Sequence, residues 1–201
     1  LIKKKLVGKA IQMIEDLADM SAAKTEEYKK NKEARDAERA AKELTEDEKK
    51  ELDKRDTEEK KEAEKYLQFW KEFGKNIRLG ILEDQKHKNR LLPLLRYQTS
   101  KSGDELISLS QYVARMPENQ KYIYYITGEN VDEVKSSPFL EALEKRGFEV
   151  LFMVDAIDEY LAQQVREFEG KQLESITREG LKFGDEDSED EKKKKETYDR
   201  E

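Results

Sequence analysis

Three acidic residues that follow a predicted strand are the first side chains whose types could carry out chemistry. Asp155, Asp158 and Glu159 come directly after the apolar run EVLFMV. Carboxylates at such spacing can hold a metal ion or transfer protons, but acids are also favoured in the first turn of a helix, where the amides carry partial positive charge. Because the residues that follow have helical periodicity, we interpret these acids as helix-start residues.

Few other residues could form a reactive centre. His87, the single histidine, lies among lysines in QKHKN, a setting that does not favour a base or a metal ligand. The chain has no cysteine, which excludes disulfides and thiolate chemistry. The turn after Thr127, GENVDE, is acidic and has one glycine, so it is unsuited to a phosphate group. We therefore predict no catalytic, cofactor-binding or metal-binding residue.

Two groups of side chains are candidates for binding a partner protein. Trp70 and Phe73 are aromatic residues of the type that contributes most to interfaces, although their spacing suits packing in a core even better. Lys3, Lys4 and Lys5 form a small basic patch that could meet an acidic partner, and a solvated helix face is the alternative.

The elements that would position these residues begin with a helix over residues 1–20. Ile2, Leu6, Ala10, Ile14 and Leu17 recur at helical spacing and give one apolar stripe. The helix has no capping residue at its start, so we expect it to continue a helix of a preceding subdomain in a longer chain.

Residues 21–65 are predicted to be a long charged insertion, either disordered or an extended helix. The segment holds sixteen acids and fourteen bases, and Tyr28, Leu44 and Leu52 are the side chains that could anchor a core. Thr45 and Glu48 have the spacing of a capping box. A coiled coil is the alternative, but it would need a sustained apolar heptad that this segment lacks.

Residues 66–118 are predicted to be a helical connector of about three helices. The first has the aromatic face Tyr66, Phe69, Trp70 and Phe73, the second follows Asn89, and the third starts at the capping-box pair Ser108 and Gln111.

Residues 119–183 are predicted to form a small three-layer α/β/α unit with a short, mostly parallel sheet. The strands are assigned to residues 122–127, 149–154 and 173–177. Ser137 and Pro138 start a helix between the first two strands and Gly147 ends it, whereas Asp155 is expected to cap a helix over residues 156–168. An acidic linker, residues 184–201, follows.

Composition excludes two classes of protein. A formal net charge of −7 argues against a general nucleic-acid binder, which needs a surplus of basic residues on one face. The sequence has no apolar run near the ~20 residues required to cross a bilayer, so we predict no membrane segment.

Several motifs make the chain similar to one known family. The runs FWKEFGKNIRLGI (69–81), LLRYQTSKSGDEL (94–106), YVARMPENQKYIYYITGE (112–129), SPFLEAL (137–143), FEVLFMVDAIDEY (148–160) and REFEGKQL (166–173) resemble the ninety-kilodalton heat-shock chaperones. The resemblance covers residues 1–20 and about 66–183 in the family's order, and it corresponds to the later part of the family's middle segment.

The resemblance implies a function that the residues alone do not give. Members of this family are homodimeric chaperones driven by ATP and magnesium; the middle segment binds client proteins and co-chaperones. The nucleotide domain, the arginine that assists hydrolysis and the C-terminal dimerisation domain would lie outside this chain, so we expect no enzyme activity in it. Co-chaperone contacts in the family include basic residues of the first helix, which makes Lys3 and Lys4 candidates.

The chain departs from the family's pattern at a few positions. Gly8 stands where relatives tend to carry a basic residue, Ala156 stands where proline is usual, and the 21–65 insertion is far longer than the ordinary connection. These departures suggest a divergent lineage. The sequences SGDE (102–105) and YITGE (125–129) resemble those of cytoplasmic members and favour a cytoplasmic protein, with the lumen of the endoplasmic reticulum as the alternative. An α/β enzyme domain of unknown chemistry and a structural scaffold with a helical spacer are the rival functions.

Overall fold

A computed structural model describes residues 2–41, 43–178 and 181, and the predicted linker 184–201 lies outside the described residues. The chain divides into two compact units, residues 1–74 and 75–201. Helix α3 (Lys65–Glu83) contributes its residues up to Gly74 to the first unit and the remainder to the second. The domain boundaries assigned from the sequence differ from this division and stay predictions.

The first unit is built around a helical hairpin. Helix α1 (Ile2–Ala41) and helix α2 (Glu46–Ala63) run antiparallel, because Ser21 contacts Ala63 at one end of the pair and Arg39 contacts Asp53 near the other. The helix expected to end near residue 20 thus continues to Ala41. Residues 9–41 contain no glycine or proline and are rich in Ala, Lys and Glu, so nothing in this stretch interrupts a helix.

The start of α2 is fixed by the capping box that the sequence predicts. The Thr45 hydroxyl accepts a hydrogen bond from the Glu48 amide at 3.3 Å, and the Glu48 carboxylate accepts one from the Thr45 amide at 2.8 Å. The two bonds satisfy amide groups that have no partner inside the helix.

The helical connector continues in the second unit. After α3 come helix α4 (Lys88–Leu91) and a 3-10 turn (Leu92–Leu94) that accommodates Pro93. Helix α5 (Leu109–Arg115) begins at the predicted capping box, in which Ser108 and Gln111 bond each other's amides at 3.1 and 2.9 Å. The prediction of three helical segments before the main strands is confirmed.

Among the described residues, five strands form one sheet in the order β1-β3-β2-β5-β4. These strands are β1 (Gln98–Thr99), β2 (Ile123–Thr127), β3 (Val150–Met153), β4 (Glu167–Phe168) and β5 (Lys171–Ser175). The long strand β2 is parallel to β3 and β5, and the two-residue strands β1 and β4 are antiparallel edges. This arrangement confirms the predicted α/β class and the mostly parallel sheet.

Helices α6 (Val131–Lys135) and α7 (Pro138–Glu144) connect β2 to β3, and α8 (Asp158–Gln164) follows β3. One face of the sheet carries a hydrophobic core in which Tyr124 stacks on Phe148 with ring centroids 5.7 Å apart. The other buried members of this core are Ile126, Val134, Leu140, Leu143, Val150, Phe152 and Ile176. The alternation of strand residues between the two faces places them there.

The helix predicted over residues 156–168 is wrong at both ends. It begins at Asp158, Ile157 occupies the capping position without a side-chain bond, and Asp155 does not cap it. It ends at Gln164, and Phe168 belongs to β4 instead. Glu169 and Gly170 have positive φ values of 48° and 75°, the backbone of a tight hairpin turn that brings β4 back against β5.

Candidate functional site

A row of aromatic side chains on α3 is the best candidate for a binding surface in the first unit. Tyr66 lies 5.9 Å from Phe69, and Phe69 stacks on Phe73 at 5.0 Å between ring centroids. Tyr66 is buried, whereas half of the Phe73 surface is exposed (50%). The row therefore extends from a buried ring, Tyr66, to the Phe73 ring, which stacks on Phe69 and is exposed to solvent on its other side.

Trp70 does not belong to this exposed surface. The structure leaves 5% of it accessible, which makes it a core residue. The two aromatic residues predicted as partner-binding candidates therefore differ in their environment: Phe73 is available to a partner in this structure and Trp70 is not. Their three-residue spacing places them on neighbouring parts of one helix surface, so spacing alone could not separate them.

The first turns of α1 carry basic and apolar side chains in the same stretch. Lys4 and Lys5 are exposed, while the side chain of Lys3 lies outside what the structure describes. Ile2, Leu6, Met13 and Met20 are between 63% and 76% exposed and recur on one face of the helix. An exposed apolar row beside lysines can contact a partner that has apolar anchors and acidic groups.

A buried ion pair in the second unit links α3 to α8. The Arg78 guanidinium donates to the Asp158 carboxylate at 2.8 Å, and the Tyr97 hydroxyl donates to the same oxygen at 2.9 Å. Asp158 is fully buried, and the guanidinium also lies 5.4 Å from the centre of the Tyr97 ring. No local pattern predicts this cluster, because its acid and its arginine are 80 residues apart.

Burial and pairing act in opposite directions on this cluster. Burial raises the pKa of the Asp158 carboxyl, and the Arg78 guanidinium and the Tyr97 hydroxyl oppose that effect. Burial raises the pKa of the Tyr97 hydroxyl well above its ordinary value. Each group has its partner inside the cluster, and the arrangement joins two helices; it does not direct a reactive atom towards solvent.

A second buried polar cluster holds the strands to α5. The Tyr112 hydroxyl donates to the carbonyl oxygen of Glu149 and accepts from the amide of Tyr124 at 3.1 Å and from Gln120 at 2.9 Å. Burial raises the pKa of this hydroxyl. The Glu149 carboxylate accepts from Thr99 and pairs with Arg115 at 3.2 Å. These bonds satisfy buried groups of the fold.

The positions at which chemistry was considered in the sequence do not assemble a reactive centre in the described part of the chain. His87 Nδ1 lies 2.6 Å from the Asp84 carboxylate, and hydrogen bonding to His87 lowers the pKa of Asp84. Within residues 2–41, 43–178 and 181, no group of three His, Asp or Glu side chains could hold a metal ion. No helix in the same residues is long and apolar enough to span a membrane.

The turn after β2 does not fit a nucleotide phosphate. The amide of Glu129, in this turn, donates to the Glu133 carboxylate at 2.6 Å. Asp132 and Glu133 also occupy the first turn of α6, so the turn is negatively charged. A phosphate group would meet carboxylates in place of free amides.

Comparison with known proteins gives one consistent family. The family model described as "Hsp90 protein" matches residues 1–201. An endoplasmin homolog of Arabidopsis thaliana is 42% identical over 183 residues, which is 91% of this chain and 20% of the relative. Heat shock protein 83 of Leishmania donovani is 50% identical over 120 residues, 60% of this chain and 26% of the relative.

A solved structure agrees with these relatives. The middle domain of a Plasmodium falciparum heat shock protein is 32% identical, with a TM-score of 0.54, and the match covers 56% of this chain and 47% of that one. The chain spans about a fifth to a quarter of the length of the curated relatives that it matches.

Proposed function

The chain belongs to the Hsp90 family and is a middle-domain segment of a chaperone, and from this membership we propose that it docks client proteins and co-chaperones. The exposed ring of Phe73 carries the proposal. A client in a non-native state exposes apolar side chains, and a supported aromatic ring in water is a favourable contact for them. The Phe69 ring stacks on the Phe73 ring and limits its motion, so less conformational entropy is lost when Phe73 binds a client.

Co-chaperones would use a different surface of the same unit. Lys4 and Lys5 are exposed on the first turns of α1 beside the apolar row that begins with Ile2 and Leu6. Together with Lys3 they supply positive charge for an acidic co-chaperone surface. Trp70, the remaining sequence candidate, contributes indirectly, as part of the core that supports α3.

We assign the ATP and magnesium dependence of the parent chaperone to parts of it that this chain does not include, and likewise its homodimerisation through a C-terminal domain. The acidic turn after β2 supports the view that this segment binds no nucleotide. From its place in the middle domain we also propose that it is not itself an enzyme. The compartment we propose is the cytoplasm, with the lumen of the endoplasmic reticulum as the alternative; imaging of the tagged parent protein distinguishes the two.

A matched pair of phenylalanine substitutions tests the client surface. Phe73 in the first unit and Phe139 in the second are 50% and 51% exposed, so Phe73→Ala and Phe139→Ala remove equal apolar surface from water. In the full-length parent we expect Phe73→Ala to weaken the suppression of client aggregation and Phe139→Ala to leave it unchanged.

Trp70 is the only tryptophan of this chain, so its emission in the same two variants of the 201-residue chain reports whether the first unit remains folded. Equal activity of both variants and the parent, with native Trp70 emission, would show that clients do not use Phe73.

A further inference from the structure

The α1–α2 hairpin is held together differently at its two ends. Its base contains the buried residues Ala18, Ser21, Ala63 and Tyr66. The Ser21 hydroxyl donates to the Ala63 carbonyl and accepts from the Tyr66 amide, which joins α1 to the junction of α2 and α3. Beyond the base, Arg35 is the only buried side chain among the described residues from 22 to 62.

The distal part of the hairpin has a heptad seam made of polar residues. On α1, Ser21, Tyr28 and Arg35 are each seven residues apart, and Thr25 and Arg39 lie on the neighbouring row. This is the spacing by which helices pair in a coiled coil, where apolar side chains normally fill the positions. Here the hydrophobic contribution to pairing is small, and the helices must be held by other contacts.

Ion pairs supply these contacts. The Arg35 guanidinium donates to Asp56 and to Glu59, both at 2.9 Å, and Arg39 donates to Asp53 at 2.7 Å. We call these five residues the ionic seam. Although burial favours the neutral acid, hydrogen bonds from Arg35 and Asn31 lower the pKa of Glu59, so the carboxylate is charged at neutral pH.

The seam is only partly protected from solvent. The Arg35 side chain is 9% exposed, but those of Asp56, Glu59 and Asp53 are 24%, 35% and 73% exposed. Dissolved ions therefore reach the carboxylates and screen them. The Nε atom of Arg35 is buried without a hydrogen-bond partner, which reduces the net stability of the closed hairpin.

We propose that the distal part of the hairpin is an arm controlled by ionic strength, in which the ionic seam holds α2 against α1 in dilute salt and releases it in concentrated salt. The base stays joined, because its contacts are buried hydrogen bonds and apolar side chains. Opening separates the two guanidinium groups from the three carboxylates and exposes Arg35, so the state of the arm changes which charges the first unit presents to a partner.

The distance between the two helices tests the proposal directly. The chain has no cysteine, so spin labels can be placed at Ala34→Cys on α1 and Glu58→Cys on α2, two exposed positions next to the seam. At about 0.1 M salt, where the screening length is about 10 Å, we expect one short distance. At about 1 M salt, where it is about 3 Å, we expect most of the short-distance population to be lost.

Two methionine substitutions in the labelled protein separate the seam from other charges. Arg35→Met removes the seam's central cation but keeps most of its aliphatic stem, and we expect it to give the open distribution already in dilute salt. Arg55→Met is the control, because exposed Arg55 pairs with Glu51 of the same helix, α2, and it should leave the hairpin closed.

Trp70 emission distinguishes opening of the arm from unfolding of the first unit. The proposal requires this emission to stay unchanged while the label distance increases. A short distance that persists in concentrated salt and in Arg35→Met would overturn it, and so would a Trp70 shift that accompanies every increase in distance. Neither outcome depends on client binding by Phe73, which has its own assay.

Discussion

The buried contact of Arg78 and Tyr97 with Asp158 depends on the presence of each partner. Asp158 has no exposed surface, so removing its cation would leave a carboxylate buried without a countercharge. We predict that Arg78→Met lowers the free energy of unfolding of the second unit by about 3–5 kcal/mol. Faster hydrogen exchange of the α8 amides would measure the loss.

The matched control for this substitution is Arg166→Met, because Arg166 is an exposed arginine of the same unit. It should change stability by no more than about 0.5 kcal/mol, as is usual for surface substitutions. Equal exchange rates for the two variants would mean that the Arg78–Asp158 ion pair contributes little to the stability of the second unit.

The same residues show why sequence reasoning missed this cluster. Acids at the start of a helix have a sufficient local explanation in the partial charge of the helix end, and that explanation was applied to Asp155, Asp158 and Glu159 alike. It does not distinguish an acid that points to solvent from one that points inward. Burial of Asp158 depends on Arg78 and Tyr97, which are distant in sequence and reach it only through the tertiary fold.

At the scale of elements, local signals were predictive. The capping boxes at Thr45 and Ser108 and the apolar runs of β2 and β3 lie within a few residues of the structure that they specify. The edge strands β1 and β4 were not predicted, since a strand of two residues has no periodicity to detect. The ionic seam was not predicted either, because a coiled coil is identified by apolar residues at its heptad positions and this seam has polar ones.

The capping box of α2 gives a prediction at this scale. Thr45→Ala removes the hydroxyl that accepts from the Glu48 amide, and loss of such a cap costs about 1 kcal/mol. We therefore expect the first-turn amides of α2 to exchange with solvent about fivefold faster. Thr57→Ala is the control, because that hydroxyl bonds the Asp53 carbonyl in the middle of the same helix. If both variants exchange equally, the cap does not determine where α2 begins.

At the scale of the whole molecule, the sequence indicated the family and the order of the main elements, because the six motifs from Phe69 to Leu173 are long and follow one another in the family's order. It did not indicate that the charged segment doubles back on itself as a hairpin. Composition identified residues 21–65 as polar and rich in helix formers, but the direction of α2 depends on pairs such as Arg35 with Asp56, which form only once the chain has turned. The hairpin is therefore the part of the molecule whose role must be found by experiment.

Replacing the distal hairpin in the full-length parent tests that role. A variant in which a short Gly-Ser linker replaces residues 26–61 keeps Ser21, Ala63 and Tyr66, which form the base, and the Phe69–Phe73 row. We expect undiminished suppression of client aggregation, and native Trp70 emission when the same replacement is made in this chain, because Phe69, which stacks on Phe73, lies outside the replaced segment. Loss of client holding with Trp70 emission still native would contradict this prediction, and it would place part of the client-binding surface on the ionic seam or on the outer faces of α1 and α2.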